Sequence, residues 1–373
     1  MSLDIIRSGL LATVQDLGRP GYQYAGIPVG GALDAPALRL ANLLIGNAPG
    51  EAGLEITLAG PTLRFARPHL LALTGADLSA TLDGQLLPLG RPVAVRVGTT
   101  LAFGAARAGC RAYLALAGGL DLPPVLGSRA TLVRANLGGL HGRALRAGDQ
   151  LPAPGPAGRG QQLWEKLLAA LPASNWAAAP WQFLNGWVSP PAWDPTPAPT
   201  PPGEGGHGGA TVSSRQAPLS RRGGGGGEVT LRAVRGPEYD EFTSASRRAF
   251  WQQPYTITPV ADRMGYRLAG PALTRPDGTE LLSSAVAPGT VQVPPGGQPI
   301  VLLADCQTTG GYPRLAHVIT ADLPGLAQAR PGQALRFQEV SLTEAQALYL
   351  AQARHLRQLE ANYQAFLTQL LRR

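Results

Sequence analysis

The first 155 residues alternate short apolar runs with polar turns. Leu70–Thr74, Val93–Val97 and Arg111–Ala117 are apolar segments, and Leu82–Gln85 and Ala147–Gln150 are turn sequences between such runs. Short runs bounded by Gly and Asp predict strands, and their repetition predicts a barrel or sandwich. One helix interrupts them, from Asp34 to Ile45. Asp34 is a good N-cap, Pro36 falls in the first turn where its missing N–H does no harm, and Gly46 is a natural stop.

The pattern then changes twice. Gln161–Leu171 has helical spacing and ends at Pro172, whereas Trp193 to Glu228 is dominated by Pro, Gly, Ser and Thr, with five consecutive glycines from Gly223 to Gly227. That stretch has too little apolar surface for a core and predicts a flexible linker or insertion. Strand-like runs return with Val229–Val234, Gly289–Pro294, Pro299–Asp305 and Ala334–Val340, and Glu238–Trp251 reads as helical. Ser341 and Glu344 form a capping-box pattern. Leu342, Leu348, Tyr349, Leu356, Leu359, Tyr363, Phe366 and Leu370 then recur close to helical spacing. The expected organisation is a first β lobe over 1–155, a helix and linker over 156–228, a second β lobe over 229–340 and a C-terminal amphipathic helix over 341–373.

Composition excludes several functions. The chain has 373 residues, 44% of them hydrophobic, enough for two domains, and no apolar run long enough for a membrane span. Its start lacks the pattern of a signal peptide, so the expected location is the cytoplasm. The net charge is +8, but the arginines are dispersed and aromatic residues make up only 6%, which argues against nucleic acid and for small anionic substrates or an acidic partner. Lys166 is the single lysine, and it sits in neither a phosphate-binding loop nor a Met-Lys-Met biotin acceptor. If ATP or carboxybiotin is used, another chain supplies that site. Cys110 and Cys306 read as buried small groups, and the five histidines show no metal spacing.

Four segments carry candidate chemistry. Thr13–Tyr22 holds Gln15, Asp16 and Arg19 within five residues, as a turn-locking ion pair or as groups lining a cleft. Gly26–Asp34 is a glycine-rich loop running into a helix, followed by Asn42 and Glu55; it could bind an anion, although Asp34 is better read as a cap. In Ala261–Arg267, a strand would put Arg263, Gly265 and Arg267 on one face, where two guanidinium groups could clamp a carboxylate or phosphate, with Tyr266 on the other. Ala304–His317 contains Gln307, Thr308, Thr309, Gly310, Gly311 and Tyr312, small donors able to orient a substrate and let its backbone approach. Arg263, Tyr266, Arg267, Gln307, Thr309 and Tyr312 are thus candidate catalytic residues. Gln15, Asp16, Arg19, Asp34, Asn42, Glu55, Gly310 and Gly311 are candidate substrate-binding residues.

Thr13–Gly21, Gly26–Asp34, Leu40–Asn47, Leu54–Thr57, Leu73–Asp77, Tyr113–Asp121, Val125–Thr131, Arg263–Leu268, Leu281–Ser284, Val286–Pro295 and Gln307–Pro313 together resemble the biotin-dependent carboxyltransferase-like family. That family includes the C-type subunit of 5-oxoprolinase, the kinase regulator KipA and the carboxyltransferase region of urea amidolyase (allophanate hydrolase subunit 2). The resemblance implies two cyclophilin-like β-barrel lobes and a mainly β fold. It also implies one subunit of an ATP-dependent 5-oxoprolinase. Its implied partners are a KipI-like (B-type) 5-oxoprolinase subunit, and a second, A-type one related to lactam-utilisation proteins. ATP would be bound largely by a partner, with no biotin on this chain. Two alternatives stay open at this point: a carboxyltransferase acting with carboxybiotin on urea or a small amide, and a non-catalytic KipA-like regulator of a KipI-like kinase inhibitor. The Pro/Gly insertion is longer than the family pattern needs.

Overall fold

The computed structural model describes residues 3–170, 174–180, 228–276 and 281–372. Its strands fall into two lobes, and the fold is mainly β, as expected. The linker expected between Trp193 and Glu228 lies outside the described residues, except for Glu228 itself.

The first lobe consists of two six-stranded sheets around one core. One sheet runs in the order Gln150–Leu151, Leu3–Arg7, Thr62–Phe65, Thr100–Ala102, Thr81–Leu82, Gln85–Leu86. The other runs Trp176–Ala178, Pro92–Val95, His69–Asp77, Ala108–Leu116, Gly53–Thr57, Leu11–Gln15. Side chains in a strand alternate between faces. In the second sheet, Ala12 and Val14, Leu54 and Ile56, and Ala112 and Leu114 therefore enter the core. Thr13 and Gln15, Glu55, and Arg111 and Tyr113 occupy the opposite face. Glu55 lies directly across from Thr13 on one side and Tyr113 on the other.

That polar face is covered by helix Ala35–Leu44 and by the second lobe. The Asp34 side chain accepts a hydrogen bond from the Ala37 N–H at 3.0 Å, the expected cap. Helix Gly158–Ala170 and the last helix, Leu342–Arg372, pack on the outside of this layer. Tyr363 is buried there, and its hydroxyl donates to the Leu44 carbonyl at 2.7 Å.

The second lobe is a closed seven-stranded barrel. Its order is Val229–Arg235, Arg314–Val318, Thr290–Gln292, Ile300–Leu302, Gly265–Ala269, Tyr255–Ile257, Ala334–Glu339, closed by a parallel pairing of the first strand with the last. The single helix expected over Glu238–Trp251 is divided. A short turn at Tyr239–Glu241 is followed by helix Ser244–Gln252, because Thr243 breaks the run and caps the new helix through the Ser246 N–H. Phe250 stacks on Phe337 with ring centroids 4.4 Å apart, filling the barrel core.

Candidate functional site

The lobes meet on a buried polar network. Leu33, at the end of the glycine-rich loop of the first lobe, enters the core of the second. The Gly30 N–H donates to the Ala304 carbonyl at 3.1 Å. Positive φ at Gly18 and Gly31 lets these backbones approach closely; a Cβ on Gly31 would lie 2.6 Å from the Gly18 nitrogen.

Glu55 is the centre of this joint. One carboxylate oxygen accepts from the Leu33 N–H at 2.9 Å and from the Tyr113 hydroxyl at 2.8 Å. The other accepts from Arg263 of the second lobe and lies 3.7 Å from Arg111 Nε. Arg263 also holds Asp305 through two bonds of 2.9 Å and donates to the Gly31 carbonyl at 2.6 Å. Arg111 donates to the Tyr266 hydroxyl and to the Ala327 carbonyl, both at 2.5 Å. Gln328 closes the circuit, donating to Asp34 at 2.8 Å and to the Arg111 carbonyl while accepting from the Cys110 and Arg111 N–H groups.

The charges follow from these contacts. Burial pushes the Glu55 carboxyl up, but Arg263 and Arg111, with the Leu33 and Tyr113 donors, outweigh it and hold Glu55 below its ordinary value. Asp305 keeps a raised value because burial outweighs Arg263. Asp34 is raised to about 6, chiefly by burial, against hydrogen bonds from Gln328 and Ala37. Tyr266 rises to about 12 for the same first reason. Burial lowers Arg19, opposed by Asp16 and Asp305.

The structure gathers Asp34, Glu55, Arg263 and Tyr266 into this network, with Arg19 at its margin. Arg19 is 1% exposed and donates to the Ala130 carbonyl at 2.5 Å. Its Nη1 has no hydrogen-bond partner among the described residues and faces Asp305 across Gly30. Asp16 and Arg19 form no turn-locking ion pair. Asp16 instead accepts from the Gly18 N–H, the Ser128 hydroxyl and the Arg129 N–H. Gln15 donates to Thr13 and the Thr131 carbonyl, and Asn42 braces the end of its helix against Glu51 and Asn47.

Arg263 and Arg267 do not share a face. The strand begins at Gly265, and Arg263 precedes it in a turn held by Asp262, so strand alternation does not extend to it. Arg263 is buried, whereas Arg267 is exposed. Gln307, Thr309, Gly310, Gly311 and Tyr312 lie just past Asp305. Thr309–Gly310 pairs with Ser284–Ala285, Gln307 contacts Gln292 at 3.5 Å, and Tyr312 is 46% exposed. Arg111, Tyr113, Asp305 and Gln328 complete the network without having been singled out in the sequence. The charge of Arg111 at the head of an apolar strand, at the same parity as Glu55 on its own strand, was the available signal.

The network is a buried ionic joint, with Arg111 Nε and Arg19 Nη1 lacking a hydrogen-bond partner among the described residues, and it offers no free nucleophile. Burial raises the thiol of Cys110 and pushes that of Cys306 up to about 12, and the Ser128 hydroxyl is committed to Asp16. No group of His, Cys, Asp and Glu among the described residues could hold a metal ion, and no described helix is long and apolar enough to cross a membrane. Lys166 donates to the Leu370 carbonyl between two helices. What the arrangement can do is fix the loop Gln307–Tyr312 rigidly beside the barrel and present its polar groups.

Comparisons with known proteins agree with this architecture. Residues 25–188 and 201–339 match the carboxyltransferase domain, subdomain A and B. The chain is 39% identical to the C-type subunit of 5-oxoprolinase from Escherichia coli over 96% of its own length and 97% of that protein. It is 36% identical to the corresponding 5-oxoprolinase subunit of Haemophilus influenzae over 95% and 98%. Among solved structures it superposes on the K. lactis urea amidolyase with a TM-score of 0.77 and 26% identity, covering 96% of this chain and 20% of that one.

Proposed function

The chain belongs to the carboxyltransferase-domain family, and on that premise we propose that it is the C-type subunit of an ATP-dependent 5-oxoprolinase. The observation that carries this reading is length as well as identity. The match spans 97% of a protein named as the C-type subunit of 5-oxoprolinase, but only 20% of a urea amidolyase. The match thus runs along nearly all of the first protein and along about a fifth of the second.

The chemistry suits a shared site. 5-Oxoproline is an unstrained cyclic amide and a poor electrophile. Transfer of the γ-phosphoryl group of ATP to the amide oxygen releases ADP and activates the carbon. Water then adds to that carbon, the ring C–N bond breaks with the nitrogen taking a proton to leave a γ-glutamyl phosphate, and a second water hydrolyses that acyl phosphate, giving glutamate and inorganic phosphate. ATP is a co-substrate here, bound largely by a partner chain, since Lys166, the single lysine, sits in no phosphate-binding loop. The partners are the KipI-like, B-type chain and the lactam-utilisation-type, A-type chain of 5-oxoprolinase, and the assembly works in the cytoplasm.

This chain contributes a substrate wall. The Gln307–Tyr312 loop supplies polar groups to the substrate. Arg263 is a positioning residue, fixing Asp305 and hence the start of that loop. In the reconstituted complex, Arg263→Ala should cut ATP-coupled glutamate release severely, and Arg263→Lys should restore part of it. Wild-type rates in Arg263→Ala would remove this residue from the account.

A further inference from the structure

A cleft of about 280 Å³ opens on the barrel lobe beside the Gln307–Tyr312 loop. It is lined by Arg235, the segment Ala285–Ala287, Thr290, Arg314 and His317. Its rear wall is the site loop: Ala285 pairs with Thr309 across the short Ser284–Ala285 strand, and the Val286 N–H donates to the Thr308 carbonyl at 3.0 Å.

The two arginines differ in availability. Glu238 grips Arg314 at 3.0 and 2.6 Å, and the Ala285 carbonyl accepts from it at 3.1 Å, so its charge is already matched. Arg235 donates only through Nε, to Glu339 at 2.6 Å. Its guanidinium lies 4.6 Å from the centroid of the Tyr239 ring, which fixes its plane. Its two terminal nitrogens make no hydrogen bond among the described residues, leaving a planar edge of the kind that recognises a carboxylate.

His317 supplies a second, neutral donor. Burial lowers its pKa, so the imidazole is uncharged at neutral pH. Its Nδ1 lies 3.4 Å from the Thr290 hydroxyl oxygen, which itself accepts from the Ala287 N–H at 3.3 Å. The Thr290 hydroxyl proton is available to Nδ1, an arrangement that goes with the tautomer carrying the imidazole proton on Nε2. Gly289, at φ +97°, lets the backbone pass beside that ring, since a Cβ there would lie 3.1 Å from Nε2.

We propose that this cleft is the seat of the cyclic-amide acid, with the open edge of Arg235 taking the substrate carboxylate and His317 Nε2–H donating to the amide oxygen. This rests on the 5-oxoprolinase reading and adds the place and orientation of the substrate. The polar loop backs the bound ring, and the amide oxygen that accepts the phosphoryl group is held by a neutral donor.

The test uses the carboxylate as its own control. 5-Oxoproline and its neutral carboxamide are titrated calorimetrically into the full chain, wild type and Arg235→Ala, and both variants Arg235→Ala and His317→Ala are assayed in the complex of all three chains. The proposal expects wild type to prefer the acid by at least about 10-fold, and Arg235→Ala to abolish that preference. In the complex, Arg235→Ala raises KM for 5-oxoproline about 10–100-fold with kcat nearly kept, whereas His317→Ala lowers kcat. No preference in wild type, or a preference that survives Arg235→Ala, overturns the cleft assignment. Turnover is read separately: a wild-type complex that releases no glutamate sinks the 5-oxoprolinase reading, even where the acid preference and its loss in Arg235→Ala are both observed.

Discussion

Glu55 and Arg263 meet across the boundary between the two lobes, each almost fully buried, and no other pair in the network joins one lobe's charge to the other's so directly. Removing one partner of a buried pair strands the other charge, which typically costs about 3–5 kcal/mol. Glu55→Gln should lose about that much unfolding free energy, and Arg263→Met a similar amount. In the Glu55→Gln/Arg263→Met double variant the losses should add to clearly less than their sum. Denaturant unfolding of the four proteins measures this coupling. Simple additivity would show that the pair does not join the lobes.

His69 and Asp34 titrate in one pH window with opposite sign. Burial, helped by Arg67, lowers His69 to about 4, and neither ring nitrogen has a hydrogen-bond partner among the described residues. Its folded form resists protonation, so its stabilising contribution is complete above the unfolded value near 6.5 and is lost as pH falls towards 4. Asp34 is raised to about 6. Its folded form binds a proton more tightly than the unfolded chain does, so it favours folding at low pH and loses that contribution as pH rises from about 4 to about 6. Each shift corresponds to about 3 kcal/mol. His69→Phe should therefore make the protein relatively more stable on acidification, and Asp34→Asn relatively less. Unfolding free energies at pH 4.5 and pH 7 check both signs.

Gly31 sits at φ +83° where the glycine-rich loop passes the Gly18 backbone, and its carbonyl receives Arg263. Gly31→Ala adds both left-handed strain and a steric overlap. A loss of about 2–4 kcal/mol is expected, together with weaker substrate saturation in the complex. An unchanged melting curve would contradict the close approach.

Tyr363 fastens the last helix to the first lobe. Tyr363→Phe removes the hydroxyl bond to Leu44 and should cost about 1 kcal/mol. Tyr363→Ala also leaves a cavity among Leu44, Leu163 and Leu167, for a loss of about 3–5 kcal/mol. Calorimetric unfolding separates the two variants.

Much of this was legible in the sequence, for physical reasons. The apolar runs Leu70–Thr74, Val93–Val97 and Arg111–Ala117 mark strands of the first lobe, and Asp34 with Pro36 marks the start of a helix. Asp34 was visible as a helix cap, and Glu55 as a carboxylate following the glycine-rich loop. Their partners were not visible, because Arg111 and Gln328 reach them across sequence separations that no local pattern records. The misplacement of Arg263 has a simpler cause. Alternation predicts faces only inside a strand, and the strand starts two residues later. Arg235 was missed because it belongs to no polar motif, and His317, at the far end of the Ala304–His317 segment, was passed over for the small donors before it; only folding brings the two to one cleft.

The central claim is that this chain is one wall of a shared catalytic assembly. The direct measurement is ADP and glutamate release from 5-oxoproline by the purified chain alone and by the chain with the proposed KipI-like and lactam-utilisation-type partners. The account predicts no turnover from the chain alone and stoichiometric ADP and glutamate from the assembly. Turnover by the isolated chain, or an assembly that hydrolyses ATP without opening the ring, would contradict it.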